Sequence, residues 1–131
     1  MVELKQIVAF VITTNPEATK RFYQDGLGFK FLHDDGFALV FDANGTMLRA
    51  GKFKPGQFEP TKYTILGWEV ADIGSTVAEL KRRGVFFERY DPMPQDKSGI
   101  WTAPNGDKVA WFKDPAGNVL SVSQHVPRPS Q

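Results

Sequence analysis

The chain has 131 residues, of which 41% are hydrophobic and 24% charged, with a formal net charge of +1. This is the size and composition of one globular domain, able to bury roughly two-thirds of the surface its unfolded chain would expose. The near-neutral balance gives no footing for nucleic acid or an anionic membrane as a partner, the absence of cysteine excludes disulfides and thiolate chemistry, and no apolar run approaches the ~20 residues of a membrane span. Met1 to Lys5 lacks the basic flank, apolar stretch and cleavage site of a signal peptide, so the expected compartment is the cytoplasm. Eleven Phe, three Tyr and three Trp must be placed in a core or in an apolar pocket.

Ile7 to Ile12 is a short apolar run and reads as a buried strand. It ends at Thr13-Thr14-Asn15-Pro16, where Asn suits the N-cap and Pro the first helical position. A helix is predicted from about Pro16 to Asp25, with Ala18, Phe22 and Tyr23 on helical spacing and Gly26 closing it. Strands follow over Phe29 to Leu32, Phe37 to Asp42 and Thr46 to Ala50. The turns between them, Asp34-Asp35-Gly36 and Ala43-Asn44-Gly45, carry hairpin signals. Two prolines and two glycines mark residues 51–62 as a linker.

The second half repeats the plan. Thr64 to Val70 reads as a strand. Asp72 caps a helix in which Ile73, Val77 and Leu80 share one face, and Gly84 stops it after the basic turn Lys81-Arg82-Arg83. Val85 to Tyr90, Trp101 to Ala103, Lys108 to Lys113 and Val119 to Ser123 read as strands. A Pro-rich loop over Asp91 to Ser98 lies between the first two of these. Two β-α-β-β-β units are therefore expected in a single α+β domain, 1–131. Module one covers about 4–50, the linker 51–62, module two about 63–125, and a loose tail 126–131.

Four stretches carry a resemblance. Phe22-Tyr23 followed by Leu27-Gly28-Phe29 looks like an "FY…LGF" signature. Trp111 to Leu120, with Asp114-Pro115-Ala116-Gly117-Asn118 at its centre, looks like a closing "F-x-D-P-x-G-N" turn. Gly99-Ile100-Trp101 leading through Asn105-Gly106 to Ala110-Trp111-Phe112 completes the order. Together they resemble the vicinal oxygen chelate (glyoxalase/bleomycin resistance protein/dioxygenase) superfamily, in particular a small bacterial glyoxalase-like branch. That resemblance implies two βαβββ modules forming an open curved sheet around a cleft, and association as a homodimer.

Metal-dependent relatives place one His, Glu or Gln ligand on each of four cleft strands. Counting from the helices and the closing turn puts those positions at Val8, Arg49, Ile65 and Ser121. Three are not donors for a divalent cation and Ser121 is a poor one, so no metal and no cofactor are expected. A one-residue slip reaches only more apolar or small side chains, and it would turn each to the opposite face. His33 and His125 read as isolated surface histidines. Strand alternation instead sends Val8, Phe10 and Ile12 into the cleft, with Ile65, Gly67 and Glu69 on the equivalent strand. Met47 and Arg49 share a face, as do Ser121 and Ser123. Candidate ligand-binding residues are thus Phe10, Arg49, Glu69, Ser121 and Ser123, with Trp101 and Trp111 facing either core or cleft. Arg49 suits a carboxylate, unless it is consumed in a salt bridge with Glu69. Asp34-Asp35 reads as a solvated turn pair, and Asp114 as a turn residue bonding its own backbone.

The expected function is binding or sequestration of a small organic, possibly anionic, ligand, as in bleomycin-resistance relatives. The competing reading is a lyase, isomerase or dioxygenase acting on a small oxygenated metabolite, for which Glu69 is the candidate general base. A third is an interaction module whose cleft is filled by its own side chains. Whether a reaction occurs, and on what, is not legible from fold analogy.

Overall fold

The structure is a computed structural model and describes residues 2–127. The chain divides into two compact units, Met1–Pro60 with Asp114–Asn118, and Thr61–Lys113 with Val119–Gln131. Each holds one four-stranded mixed sheet and one helix, and the two sheets follow the same strand order. The α+β class and the doubled βαβββ plan expected from the sequence are therefore present.

In the first unit β1 (Val8–Thr13) runs parallel to β4 (Thr46–Lys52), and β3 (Ala38–Ala43) lies antiparallel between β4 and β2 (Lys30–Asp34). Helix α1 (Pro16–Arg21) is capped as anticipated, the Asn15 side chain accepting from the Ala18 N–H at 3.2 Å. It packs on the sheet face that carries Thr13 and Phe41. The Thr13 and Thr19 hydroxyls bond at 2.7 Å, and the Tyr23 and Phe41 rings lie 5.5 Å apart. The predicted helix to Asp25 changes character partway: Phe22–Gly26 is a π-helical turn. The Leu27 N–H reaches the Phe22 carbonyl and the Phe29 N–H reaches that of Tyr23. The wider turn moves the left-handed residue from Gly26 to Gly28, whose φ is 79°. At the β3–β4 turn Asn44 and Gly45 both take positive φ, the geometry a two-residue hairpin demands. The linker starts two residues later than expected, because β4 continues through Lys52.

In the second unit β5 (Thr64–Glu69) runs parallel to β8 (Val119–Gln124), with β7 (Lys108–Lys113) and the two-residue β6 (Trp101–Thr102) following antiparallel. Helix α2 (Ile73–Arg82) is capped by Asp72 and buries Ile73, Val77 and Leu80. It covers the face carrying Leu120, Val122 and Phe112, and its Ile73 N–H donates to the Gln124 side chain at 2.8 Å. Gly84 (φ 91°) ends the segment as the sequence suggested. Val85 to Tyr90 departs from expectation. It is not a strand but touches β7 at one bridge, Phe87 with Phe112, because its remaining polar groups are satisfied elsewhere, as described below. Of the tail expected to be loose over 126–131, residues 128–131 lie outside those described; the Val126 N–H donates to Asp107 at 2.9 Å.

Candidate functional site

Each sheet has one face under its helix and one without. On the helix-free face of the second unit, two transverse rows can be read directly from the register. One runs Glu69, Ser123, Val109, Trp101; the next runs Gly67, Ser121, Trp111. Trp101 and Trp111, whose facing the sequence left open, are thus both on this face and both half-buried. Their rings lie 6.2 Å apart, and Tyr90 meets Trp111 edge-on at 5.6 Å. Trp68, opposite the buried Val122, alternates to the helix side as expected. The Trp111 indole is fixed at its polar end, Nε1–H donating to the Thr64 hydroxyl at 3.0 Å. Burial, and next the Glu88 carboxylate, push the Tyr90 phenol above its ordinary range, so it stands as a neutral aromatic wall.

What holds Tyr90 there is a single amide. Gln95 accepts from the Tyr90 N–H at 2.7 Å and donates to the carbonyls of Glu88 (3.0 Å) and Gly99 (2.7 Å). It replaces with a side chain the ladder that Val85 to Tyr90 does not form. Arg89 closes the same loop by donating to the carbonyls of Gln95, Asp96 and Lys97. Neither role was readable from composition, since a Gln inside a Pro-rich loop has no motif. Tyr90, however, shares alternation with Glu88, and that signal was available.

Gly67 and Ser121 interlock. A Cβ on Gly67 would stand 2.4 Å from the Ser121 hydroxyl oxygen and 3.2 Å from its carbonyl. The glycine therefore lets the Ser121 hydroxyl lie close against β5, between the positions of Ile65 and Glu69. Ile65 itself falls at a register shift in β5. Glu69 is 65% exposed, and its Oε2 lies 2.9 Å from Nδ1 of His125. His125 is accordingly not the isolated surface histidine the sequence suggested.

On the helix-free face of the first unit, Val8 lies opposite Met47, and Phe10 opposite Arg49. Phe10 is 64% exposed. Arg49 is paired at 2.6 Å with Asp35, whose other oxygen accepts from the Phe37 and Ala38 N–H groups. The Arg49 guanidinium, seconded by these amides, holds the Asp35 carboxyl at about 2. Lys52 does the same for Asp34 at 2.6 Å and lowers its carboxyl in turn. The Asp34-Asp35 pair is thus clamped to β4, because the turn folds back along that strand; it is not merely solvated. The side-chain partners of Arg49 and Glu69 are Asp35 and His125, in place of the Arg49–Glu69 pairing weighed from the sequence.

The donor set does not fit the metal that this fold family can carry. Val8 and Ile65 have no donor atom, Arg49 is a cation bound to Asp35, and Ser121 offers one hydroxyl. Among the described residues no three His, Asp or Glu side chains come together as ligands.

The signature residues have a structural use in the first unit. Tyr23 is fully buried, and its hydroxyl donates to Asp114 Oδ2 at 2.7 Å. Asn118 donates to the same oxygen and to the Ile12 carbonyl, both at 2.8 Å. Asp114 Oδ1 accepts from the Ala116 and Asn118 N–H groups, the turn role read from the sequence. Burial raises the Asp114 carboxyl despite these donors. Burial, followed by the Asp114 charge, raises the Tyr23 phenol well above its ordinary range.

Two βαβββ units, each with an uncovered sheet face, define a glyoxalase-fold protein. The sequence matches the profile of the Glyoxalase/Bleomycin resistance protein/Dioxygenase superfamily over residues 4–122, and the chain belongs to that superfamily. Among solved structures it is similar to a glyoxalase/bleomycin resistance protein/dioxygenase from Alicyclobacillus acidocaldarius (TM-score 0.72, 16% identity, covering 94% of this chain and 92% of that one). It is likewise similar to a superfamily member from Sphaerobacter thermophilus DSM 20745 (TM-score 0.72, 22% identity, 94% and 98%) and to one from Nocardioides (TM-score 0.72, 19% identity, 100% and 91%). At these identities the likeness carries the fold alone. No curated protein matches the sequence. No helix among the described residues is long and apolar enough to cross a membrane.

Proposed function

We propose that this protein binds a small organic molecule without turning it over, seating the flat apolar part of that molecule on the helix-free face of the second unit. Of the activities in the superfamily's description, this reading is nearest to bleomycin resistance, in which a compound is held and not transformed. The observation that carries it is the row of half-buried rings, Tyr90, Trp111 and Trp101. Large aromatic side chains placed on a sheet face without a covering helix leave apolar area that a ligand ring can bury, and ring pairs add about 0.5–1.5 kcal/mol beyond area. Ser121, Ser123 and Thr64 supply hydroxyls for orientation. An anion anchored by Arg49 is less well supported, since Asp35 already takes its charge. Tryptophan fluorescence titrated with flat aromatic compounds tests the reading. Saturable quenching that Trp111→Ala weakens about tenfold is expected; no saturable quenching with any of them would sink it.

An enzymatic reading draws on one observation, the His125–Glu69 contact at 2.9 Å beside Ser123. An imidazole oriented by a carboxylate is a usable general base. Glu69→Gln would then abolish turnover of a small oxygenated substrate, and unchanged turnover removes this reading. The proposal also includes self-association. Val2, Leu4 and Ile7 expose most of their apolar surface ahead of β1, area that a second copy can bury. Light scattering on the purified protein should give twice the chain mass; a monomer mass refutes it.

A further inference from the structure

We infer that the ligand is an organic cation with a flat aromatic body, its ring lying on Trp111 and its positive charge directed toward Glu69. The inference rests on the binding reading above and adds the ligand's charge. It follows from how the charges of the second unit are already used. Arg89 spends its guanidinium on three loop carbonyls. Lys113 lies 3.7 Å from Glu88. Neither offers a free cation to an anionic ligand. Glu69, in contrast, is the most exposed member of its row, and its partner is an imidazole. That contact engages one carboxylate oxygen, Oε2, at 2.9 Å.

Gly67 keeps bulk away from the stretch of β5 between ring and charge. It sits in the row of Trp111, across Ser121, and two residues before Glu69 on β5. Two residues along a strand span about 7 Å, roughly the reach from a stacked ring to a substituent at its edge. The Ser121 hydroxyl takes the place that a Gly67 Cβ would fill, 2.4 Å from it, so a small polar group and bare backbone, with no bulky side chain, lie between ring and charge. Indole faces attract cations and repel anions through their quadrupole, and Trp does so more strongly than Tyr or Phe. Rings and carboxylate therefore select in the same direction.

Three compounds of one shape and different charge test this: N-methylacridinium, acridine at a pH where it is uncharged, and acridine-9-carboxylate. Affinities are read from tryptophan quenching and confirmed by calorimetry. The expected order is cation, neutral, anion, with the cation about tenfold or more tighter than the anion. Glu69→Gln, an exposed and nearly isosteric change, should shrink the cation-to-neutral ratio severalfold and leave neutral acridine unchanged. Trp111→Phe should weaken the cation more than the neutral compound, with unaltered circular dichroism confirming the fold. An anion bound as tightly as the cation, or a cation-to-neutral ratio unmoved by Glu69→Gln, overturns the charge assignment while leaving binding intact. If none of the three binds, the binding reading fails together with it.

Discussion

Tyr23→Phe removes one oxygen from the interior of the first unit and nothing else. The lost bond is the 2.7 Å donation to Asp114 Oδ2, made to a buried carboxyl that keeps only Asn118 as a partner on that oxygen. Hydrogen bonds to charged acceptors contribute about 1.5–3 kcal/mol. For a chain of this length that corresponds to a fall in Tm of roughly 5–15 °C. Urea unfolding followed by tryptophan fluorescence should show a lower midpoint with unchanged slope. The pH dependence carries a signature that a simple packing loss would not. Burial raises the Asp114 carboxyl above its ordinary value of 3.8, so the folded state binds more protons than the unfolded one. Asp114 therefore costs stability as pH rises through that range, and the Tyr23 bond offsets part of the cost. The deficit of the variant should be full at neutral pH and shrink below the carboxylate range. Tyr23 itself stays protonated in the folded state well above 10.0. Wild-type stability should accordingly fall above about pH 10 by up to ~1.4 kcal/mol per pH unit for this one proton. Tyr90, also raised, keeps part of that alkaline limb in the variant, which should be shallower but not flat. A deficit below about 0.5 kcal/mol at neutral pH, or an alkaline limb as steep as wild type, would refute the reasoning.

Three further outcomes are expected. Arg49→Ala should leave the affinity for anionic aromatic compounds unchanged and return the Asp35 carboxyl from about 2 toward the ordinary range in an NMR titration. Because that carboxyl is depressed in the folded state, its contribution is present above the ordinary carboxylate range and fades as pH falls toward about 2. Gln95→Leu should cost about 1–3 kcal/mol by leaving the Tyr90 N–H and the Glu88 and Gly99 carbonyls without their partner. It should also diminish the near-ultraviolet dichroism of the Tyr90–Trp111–Trp101 cluster; an unaltered aromatic spectrum would show that Gln95 does not position Tyr90. Gly67→Val drives a Cβ into the Ser121 hydroxyl, and ligand affinity should fall about tenfold or more, whereas an unchanged affinity would show that the Gly67–Ser121 packing does not shape the site.

Local signals sufficed for the fold. The Asn15 and Asp72 caps, the Asn44-Gly45 turn and the alternation in β8 are each decided by neighbours in the chain and stand as read, whereas the first strand, read as buried, is an edge strand with Val8 and Phe10 exposed. The helix end at Gly26 was misplaced because a π-turn adds a residue without any change in the apolar spacing. Val85 to Tyr90 was misread because strand formation depends on a partner, and here a Gln side chain took the partner's place. For the site, period-two alternation sets Phe10, Glu69, Ser121 and Ser123 on the helix-free faces of their own sheets. It could not assign partners. Arg49 meets Asp35 and Glu69 meets His125 through side chains brought together by turns and strand ends, which no spacing rule encodes. Trp101 and Trp111 were ambiguous for the same reason: only the register of β6, β7 and β8 fixes their face.

The first unit precedes the second in the chain but is completed from within it. Its strands and helix are complete in the chain by Lys52, yet it includes Asp114–Asn118. Until those residues leave the ribosome, the Tyr23 hydroxyl and the outer carbonyl of Ile12 have no protein partner. Those two bonds can form only once β5, α2, β6 and β7 have been synthesised. The duplicated halves are alike in topology but unequal in time: the one translated first closes on a segment translated after three strands and the helix of the other.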